Sequence, residues 1–251
     1  MIKKISLIFL FVFLSLTIFS QIVNIEKKRK NTKGFQANIG FEFNIKDNGK
    51  QFLELKNSVD IQYSYKAHTL IFLNDIKLLN IDKGSFINNG FQHLRYNYTI
   101  KDSSFITLEA FGQYQYNEQK LLQKRIISGG GPRFAVARKK NFSFYFAPLT
   151  MYEYEQLSDS LLSKTEFVRL DSYTNLYFKI NDIVSFNHIL YYQPRFADFS
   201  DYRISSEAGL NFNITKYIGY KVGFAFDYDN QPPENVQNTF WYFNNKLVLK
   251  L

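Results

Sequence analysis

From Gly34 onward, apolar and polar side chains alternate at a period of two, and no second long apolar run breaks the alternation. In the first such stretch Phe35, Ala37, Ile39, Phe41, Phe43 and Ile45 alternate with Gln36, Asn38, Glu42 and Asn44. A period of two puts successive side chains on opposite faces of an extended chain, so this pattern predicts a strand with one apolar and one polar face. Asp47-Asn48-Gly49-Lys50 is a hairpin signal. The next strand carries Leu53, Leu55, Val59, Ile61, Tyr63 and Tyr65 on one face and Glu54, Lys56, Ser58, Asp60, Gln62 and Ser64 on the other. Both runs exceed the roughly 5–6 residues of an ordinary globular strand. Their length suits tilted strands that cross a bilayer.

The N-terminus points the same way. Lys3 and Lys4 precede an apolar stretch, Ile5 to Phe19, and Ser20-Gln21 follows it. This is the pattern of a secretory signal peptide over residues 1–20. The alternative, a membrane anchor, needs ~20 apolar residues, more than this run supplies. With no Cys in the chain, lipid attachment at a cleavage-site cysteine is excluded. Residues 21–33 contain the basic run Glu26-Lys27-Lys28-Arg29-Lys30-Asn31-Thr32-Lys33, part of a net charge of +9. In an exported protein such a run reads as a solvated basic leader, and nucleic acid is not an expected partner. The content of 18 Tyr and 27 Phe suits aromatic girdles at two membrane interfaces.

The same alternation predicts further strands at about 68–80, 86–100, 104–117, 125–138, 142–156, 165–180, 183–196, 202–215, 217–229 and 238–251, twelve in all. An even number is the rule for single-chain bacterial outer-membrane barrels. The expected fold is therefore all-β: one transmembrane antiparallel β-barrel over residues 34–251, in the outer membrane. Outer-membrane lipid and, during insertion, the barrel assembly machinery are its expected partners. The last strand alternates through Trp241, Phe243, Leu247, Leu249 and Leu251, the kind of terminal segment that machinery reads. Connections after odd-numbered strands are expected to be longer than those after even-numbered ones, except at the first hairpin. Lipid takes the apolar faces, so the polar faces turn inward. A lumen charge cluster is expected from His93, Arg95, Glu109, Arg133, Glu153, Arg169 and Glu207. Within it, Arg95, Glu109, Arg133 and Glu153 are expected to meet, leaving a narrow or blocked passage.

Little in the chain suggests catalysis. Its histidines are His68 at a turn, His93 beside Arg95 on the polar face, and His188 on the face of Phe186 and Leu190. No His-x-Ser pair or Ser-centred nucleophile motif accompanies them. Ser128-Gly129-Gly130-Gly131-Pro132-Arg133 lacks the Gly-Lys-Ser/Thr ending of a phosphate loop. Glycines inside a barrel strand instead allow coiling or make room for a bulky neighbour. Asp227-Tyr228-Asp229-Asn230 lacks the spacing of a calcium loop. No catalytic residue, metal site or cofactor is expected. The reading is a non-enzymatic barrel, structural, acting in envelope stress, or forming a narrow channel. The alternative is an outer-membrane barrel enzyme acting on lipid or peptide.

The stretches Gly90 to Tyr98, Glu109 to Asn117 and Arg125 to Arg133 resemble the domain-of-unknown-function family numbered 481. Its members are described as salt-induced outer-membrane proteins. The resemblance implies a β-barrel with an outer-membrane address and brings no catalytic residues with it.

Overall fold

The structure, a computed structural model, describes residues 33–47, 51–81, 85–100, 105–159, 161–215 and 217–249. The signal peptide and most of the basic leader lie outside these residues, as do Asn48-Gly49-Lys50 and Leu251. Twelve strands follow one another: β1 Gly34–Asp47, β2 Gln51–Tyr65, β3 His68–Ile81, β4 Ser85–Thr99, β5 Ile106–Asn117 and β6 Leu122–Lys139, then β7 Phe142–Leu157, β8 Lys164–Lys179, β9 Val184–Arg195, β10 Asp198–Asn213, β11 Ile218–Asp229 and β12 Thr239–Leu249. Each pairs antiparallel with its sequence neighbours, giving a single sheet in the order β1 to β12. This is the expected twelve-stranded antiparallel β-barrel, with strand positions close to those the alternation predicts. The first hairpin pairs Asp47 with Gln51 and Gly34 with Ser64, as the turn signal at 47–50 requires.

Side chains that reach across the interior show that the sheet is curled. Tyr173 of β8 meets Glu109 of β5. Arg203 of β10 meets Glu153 and Glu155 of β7. Lys120, between β5 and β6, meets Asp227 of β11. Strands three or more apart in a flat sheet would stand too far from one another for such contacts. β1 and β12 are the two ends of the pairing series, and no ladder joins them among the described residues.

The expected sorting of connection lengths is not general. β9 and β10 are joined by two residues, where a longer loop is expected. The cause is how far pairing extends. β10 begins at Asp198 and pairs it with Arg195, absorbing residues assigned to the loop, with a bulge before Tyr202. The longest connection, 230–238 between β11 and β12, does fall after an odd-numbered strand.

The outer face is apolar. Ile39 is 74% exposed and Phe41 73%, and Leu94, Leu108, Ile126, Val168, Phe224, Trp241 and Phe243 are all exposed too. A soluble protein rarely exposes so large a continuous apolar surface. In a bilayer the same face is matched to its solvent. The three glycines of β6 have the structural role expected of them. A Cβ on Gly129 would sit 2.5 Å from the Thr150 carbonyl oxygen and 2.8 Å from the Phe111 ring, and one on Gly130 would sit 2.6 Å from the Glu109 carbonyl oxygen. Neighbouring backbones and one inward ring occupy the space that side chains would need.

Candidate functional site

Inward positions follow from strand parity, and on β7 they run Ala147, Leu149, Met151, Glu153, Glu155, all buried. Apolar residues thus give way to charged ones along a single inward row. The end of the barrel bearing the connections 118–121, 158–163, 196–197 and 230–238 is here the loop end, and the other the turn end.

Toward the loop end, Glu153 is fully buried and accepts hydrogen bonds from Arg125 Nε at 2.6 Å, Arg169 Nε at 2.7 Å and Arg203 Nη1 at 2.6 Å. Arg203 also holds Glu155 at 2.9 and 3.0 Å and Asp229 at 2.8 Å. Arg169 extends the network to Asp201 at 3.0 Å, which Arg195 approaches at 3.6 Å. Lys120 caps this end. The 3-10 turn Glu118–Lys120 starts where the Asn117 side chain accepts the Lys120 N–H, and Leu121, at φ 51°, ends it. The turn brings the Lys120 ammonium within 3.5 Å of Asp227 and 4.9 Å of the Phe240 ring. Burial pushes that ammonium below the ordinary lysine range, with Asp227 acting in the opposite direction.

A second network lies toward the turn end. Arg95 Nη1 donates to Glu109 at 2.7 Å, Tyr173 Oη donates to the same carboxylate at 2.8 Å, and Arg133 Nε stands 3.9 Å away. The Arg133 guanidinium lies 3.7 Å from the centre of the Tyr145 ring, and that of Arg95 4.9 Å from Phe111. His93 Nδ1 donates to Gln113 Oε1 at 2.9 Å, and the ring stacks on Phe111. Between the networks, Phe111, Ile127, Leu149, Met151, Tyr173, Ile189 and Tyr191 form one buried apolar cluster. Ile71, Leu73 and Phe91 form a smaller one on β3 and β4.

Two corrections follow. Arg95, Glu109 and Arg133 come together, but Glu153 does not join them; it is held by Arg125, Arg169 and Arg203 instead. Phe111 follows Glu109 on the inward face of β5 and Met151 precedes Glu153 on that of β7, so apolar packing separates the carboxylates. The inward faces are also not uniformly polar: at mid-depth they meet other side chains rather than water or lipid, and apolar packing is favoured there. Glu207 is buried on β10, the strand that also carries Arg203. Sequence reasoning missed Glu155, Asp201, Asp229, Lys120 and Tyr173, and above all Arg125. Counting back by twos from Arg133 puts it inward, but Ile127 in the same row breaks the polar pattern.

The lipid-facing wall holds one unexpected pair. His188 Nε2 lies 2.9 Å from Ser206 Oγ, across β9 and β10. Cross-strand register makes this contact, with His188 opposite Ala208 and Ser206 opposite Leu190, so no local motif announces it. His68 also faces outward, its Nδ1 at 2.6 Å from Tyr96 Oη beside Tyr98. Among the described residues no group of three or more His, Asp or Glu is arranged to hold a metal ion.

An apolar outer wall, a single antiparallel sheet and an interior built from ion pairs and packed side chains define a transmembrane β-barrel with a filled lumen. The chain belongs to DUF481, a family of proteins of unknown function, whose model matches residues 82–250. Among solved structures it is similar to the NanC porin, seen in a rhombohedral crystal form, at 10% identity and a TM-score of 0.49, over 85% of this chain and 100% of that one. No curated protein matches it.

Proposed function

We propose that this protein is a non-enzymatic outer-membrane β-barrel whose lumen is held shut, so that its role is structural, in the envelope, rather than conductive. The observation that carries this reading is the apolar cluster of Phe111, Ile127, Leu149, Met151, Tyr173, Ile189 and Tyr191 between two ion-paired networks. Water and ions cross a polar lumen readily, whereas a packed apolar layer offers a hydrated ion no replacement for its water. The signal-peptide pattern expected over residues 1–20 and the apolar outer wall support the outer-membrane address. In planar bilayers the purified protein is expected to show no conductance steps, and the double variant Leu149→Ala/Met151→Ala to show them. Steady open-channel conductance from the unaltered protein would overturn the reading.

A second reading, a barrel enzyme acting on lipid, is favoured by the His188–Ser206 pair on the lipid-facing wall. A histidine within hydrogen-bonding reach can take a serine's proton and make it a nucleophile toward an ester. Against it, no residue among those described orients the other ring nitrogen of His188, the third part of such an arrangement. Hydrolysis of phospholipid micelles, abolished by Ser206→Ala and by His188→Gln, would establish this reading; equal blank rates for all three proteins would remove it.

A further inference from the structure

The turn end of the lumen has a different character from the rest of the interior. One inward step beyond Tyr173 and Ile189, the wall changes from apolar rings to amides: Asn175 on β8, Asn187 on β9, Asn211 on β10 and Asn244 on β12, with Lys221 on β11. Together with Tyr177 they surround a cavity of about 330 Å³. The space exists because Gly209 and Gly223, paired across β10 and β11, present no side chains. A Cβ on Gly209 would sit 2.8 Å from Asn187 Oδ1, and one on Gly223 2.6 Å from Asn244 Oδ1. The two amides fold over the bare backbone and line the floor of the cavity.

These groups are poorly engaged with one another. Asn211 donates to Asn187 Oδ1 at 3.1 Å, while the amides of Asn175 and Asn244 have no hydrogen-bond partner among the described residues. Lys221 has no ion pair among those residues, in contrast to Lys56, Lys77, Arg95, Lys120, Arg125, Arg133, Arg169 and Arg203, each within 4 Å of a carboxylate. Lys221 is exposed at the edge of the cavity, where no described carboxylate neutralises it. Amides both donate and accept, which matches the dual hydrogen bonding of hydroxyl groups. A free ammonium beside them favours a negative charge. The volume is at the lower end of the ~300–1,000 Å³ typical of small-molecule sites.

We infer that this vestibule binds a small polyhydroxylated solute carrying one anionic group, of about monosaccharide size, with Lys221 taking the charge and the four asparagines the hydroxyls. Binding here does not depend on the lumen conducting, because the cavity opens at the barrel mouth, below the apolar layer. Titration calorimetry of the full mature protein in detergent tests it, with gluconate and sorbitol 6-phosphate as the anionic probes and sorbitol as the neutral one. At least one anionic probe is expected to bind about tenfold or more tightly than sorbitol, and the stronger of the two tells carboxylate from phosphate. Lys221→Gln, an exposed position, is expected to bring that probe down to the level of sorbitol. Gly223→Leu, which fills the cavity, should abolish binding of all three. Heat from none of the probes, equal affinity for sorbitol, or unchanged binding in Lys221→Gln would each overturn the proposal, and the last variant keeps it testable if Gly223→Leu does not fold.

Discussion

Glu153 shows what one residue can control. Its carboxylate is enclosed by three guanidiniums from β6, β8 and β10, so it fixes three strands relative to β7. Removing one partner of a buried ion pair leaves the others uncompensated and typically costs ~3–5 kcal/mol. Glu153→Ala is therefore expected to lower stability by about that much in urea unfolding from detergent. Glu42→Ala, which loosens the partly exposed pair with Lys56, should cost less than ~1 kcal/mol. Similar losses for both variants would show that the Glu153 network is not a structural keystone. The glycines permit a second contrast. Gly129→Ala would drive a methyl group against the Thr150 carbonyl oxygen and Phe111, whereas a Cβ on Gly112 would meet only the Ile127 carbonyl oxygen, at 3.9 Å. The first is expected to cost ~1–3 kcal/mol, as overpacking does, and the second little, both measured by the same unfolding curves.

At the scale of the strand, parity is the organising rule, and it can be tested on one ladder. Phe224 on β11 pairs with Ala208 and Phe243 and is exposed on the outer wall. Phe224→Arg is expected to destabilise the barrel by ~2–4 kcal/mol if the position lies near the bilayer midplane. The matching inward control is Asn211→Arg, which enters the roomy vestibule and should be milder. Ala225, although also inward, is not an equivalent control: it is buried, and an arginine there has no space. Equal damage from Phe224→Arg and Asn211→Arg, measured by heat-modifiability on gels, would mean that the two faces are not lipid and lumen. The register also accounts for the pair that no motif announces. His188 and Ser206 are far apart in sequence and meet because β9 and β10 align Ala208 with His188.

The whole molecule is a curled series of hairpins with local connections, its interior filled toward the loop end by charge, at mid-depth by apolar side chains, and toward the turn end by the Arg95–Glu109–Arg133 network and by amides. Such a barrel belongs in a membrane. After cell fractionation the mature protein is expected in the outer membrane, resistant to salt and alkaline extraction, because its exposed apolar wall has no other suitable solvent. Recovery from the soluble periplasm would contradict both the address and the assignment of faces.

The sequence by itself determined the fold class, the number and approximate position of the strands, and which residues of Phe35–Ile45 or β11 face each way. Those depend on a period of two, a local property that any short window displays. It also pointed to the role of Gly129 and Gly130, since glycines inside a strand have few other uses. Three things needed the tertiary structure. Whether Arg133 or Arg125 reaches Glu153 depends on shear between strands and on how far each side chain extends across the lumen. The inward placement of Ile127, Leu149 and Ile189 depends on their being covered by other side chains, which composition cannot report. The open vestibule depends on Gly209 and Gly223 lying opposite each other, a pairing set by register. A strand's own sequence tells which way a side chain points; only the curled sheet decides what it meets there.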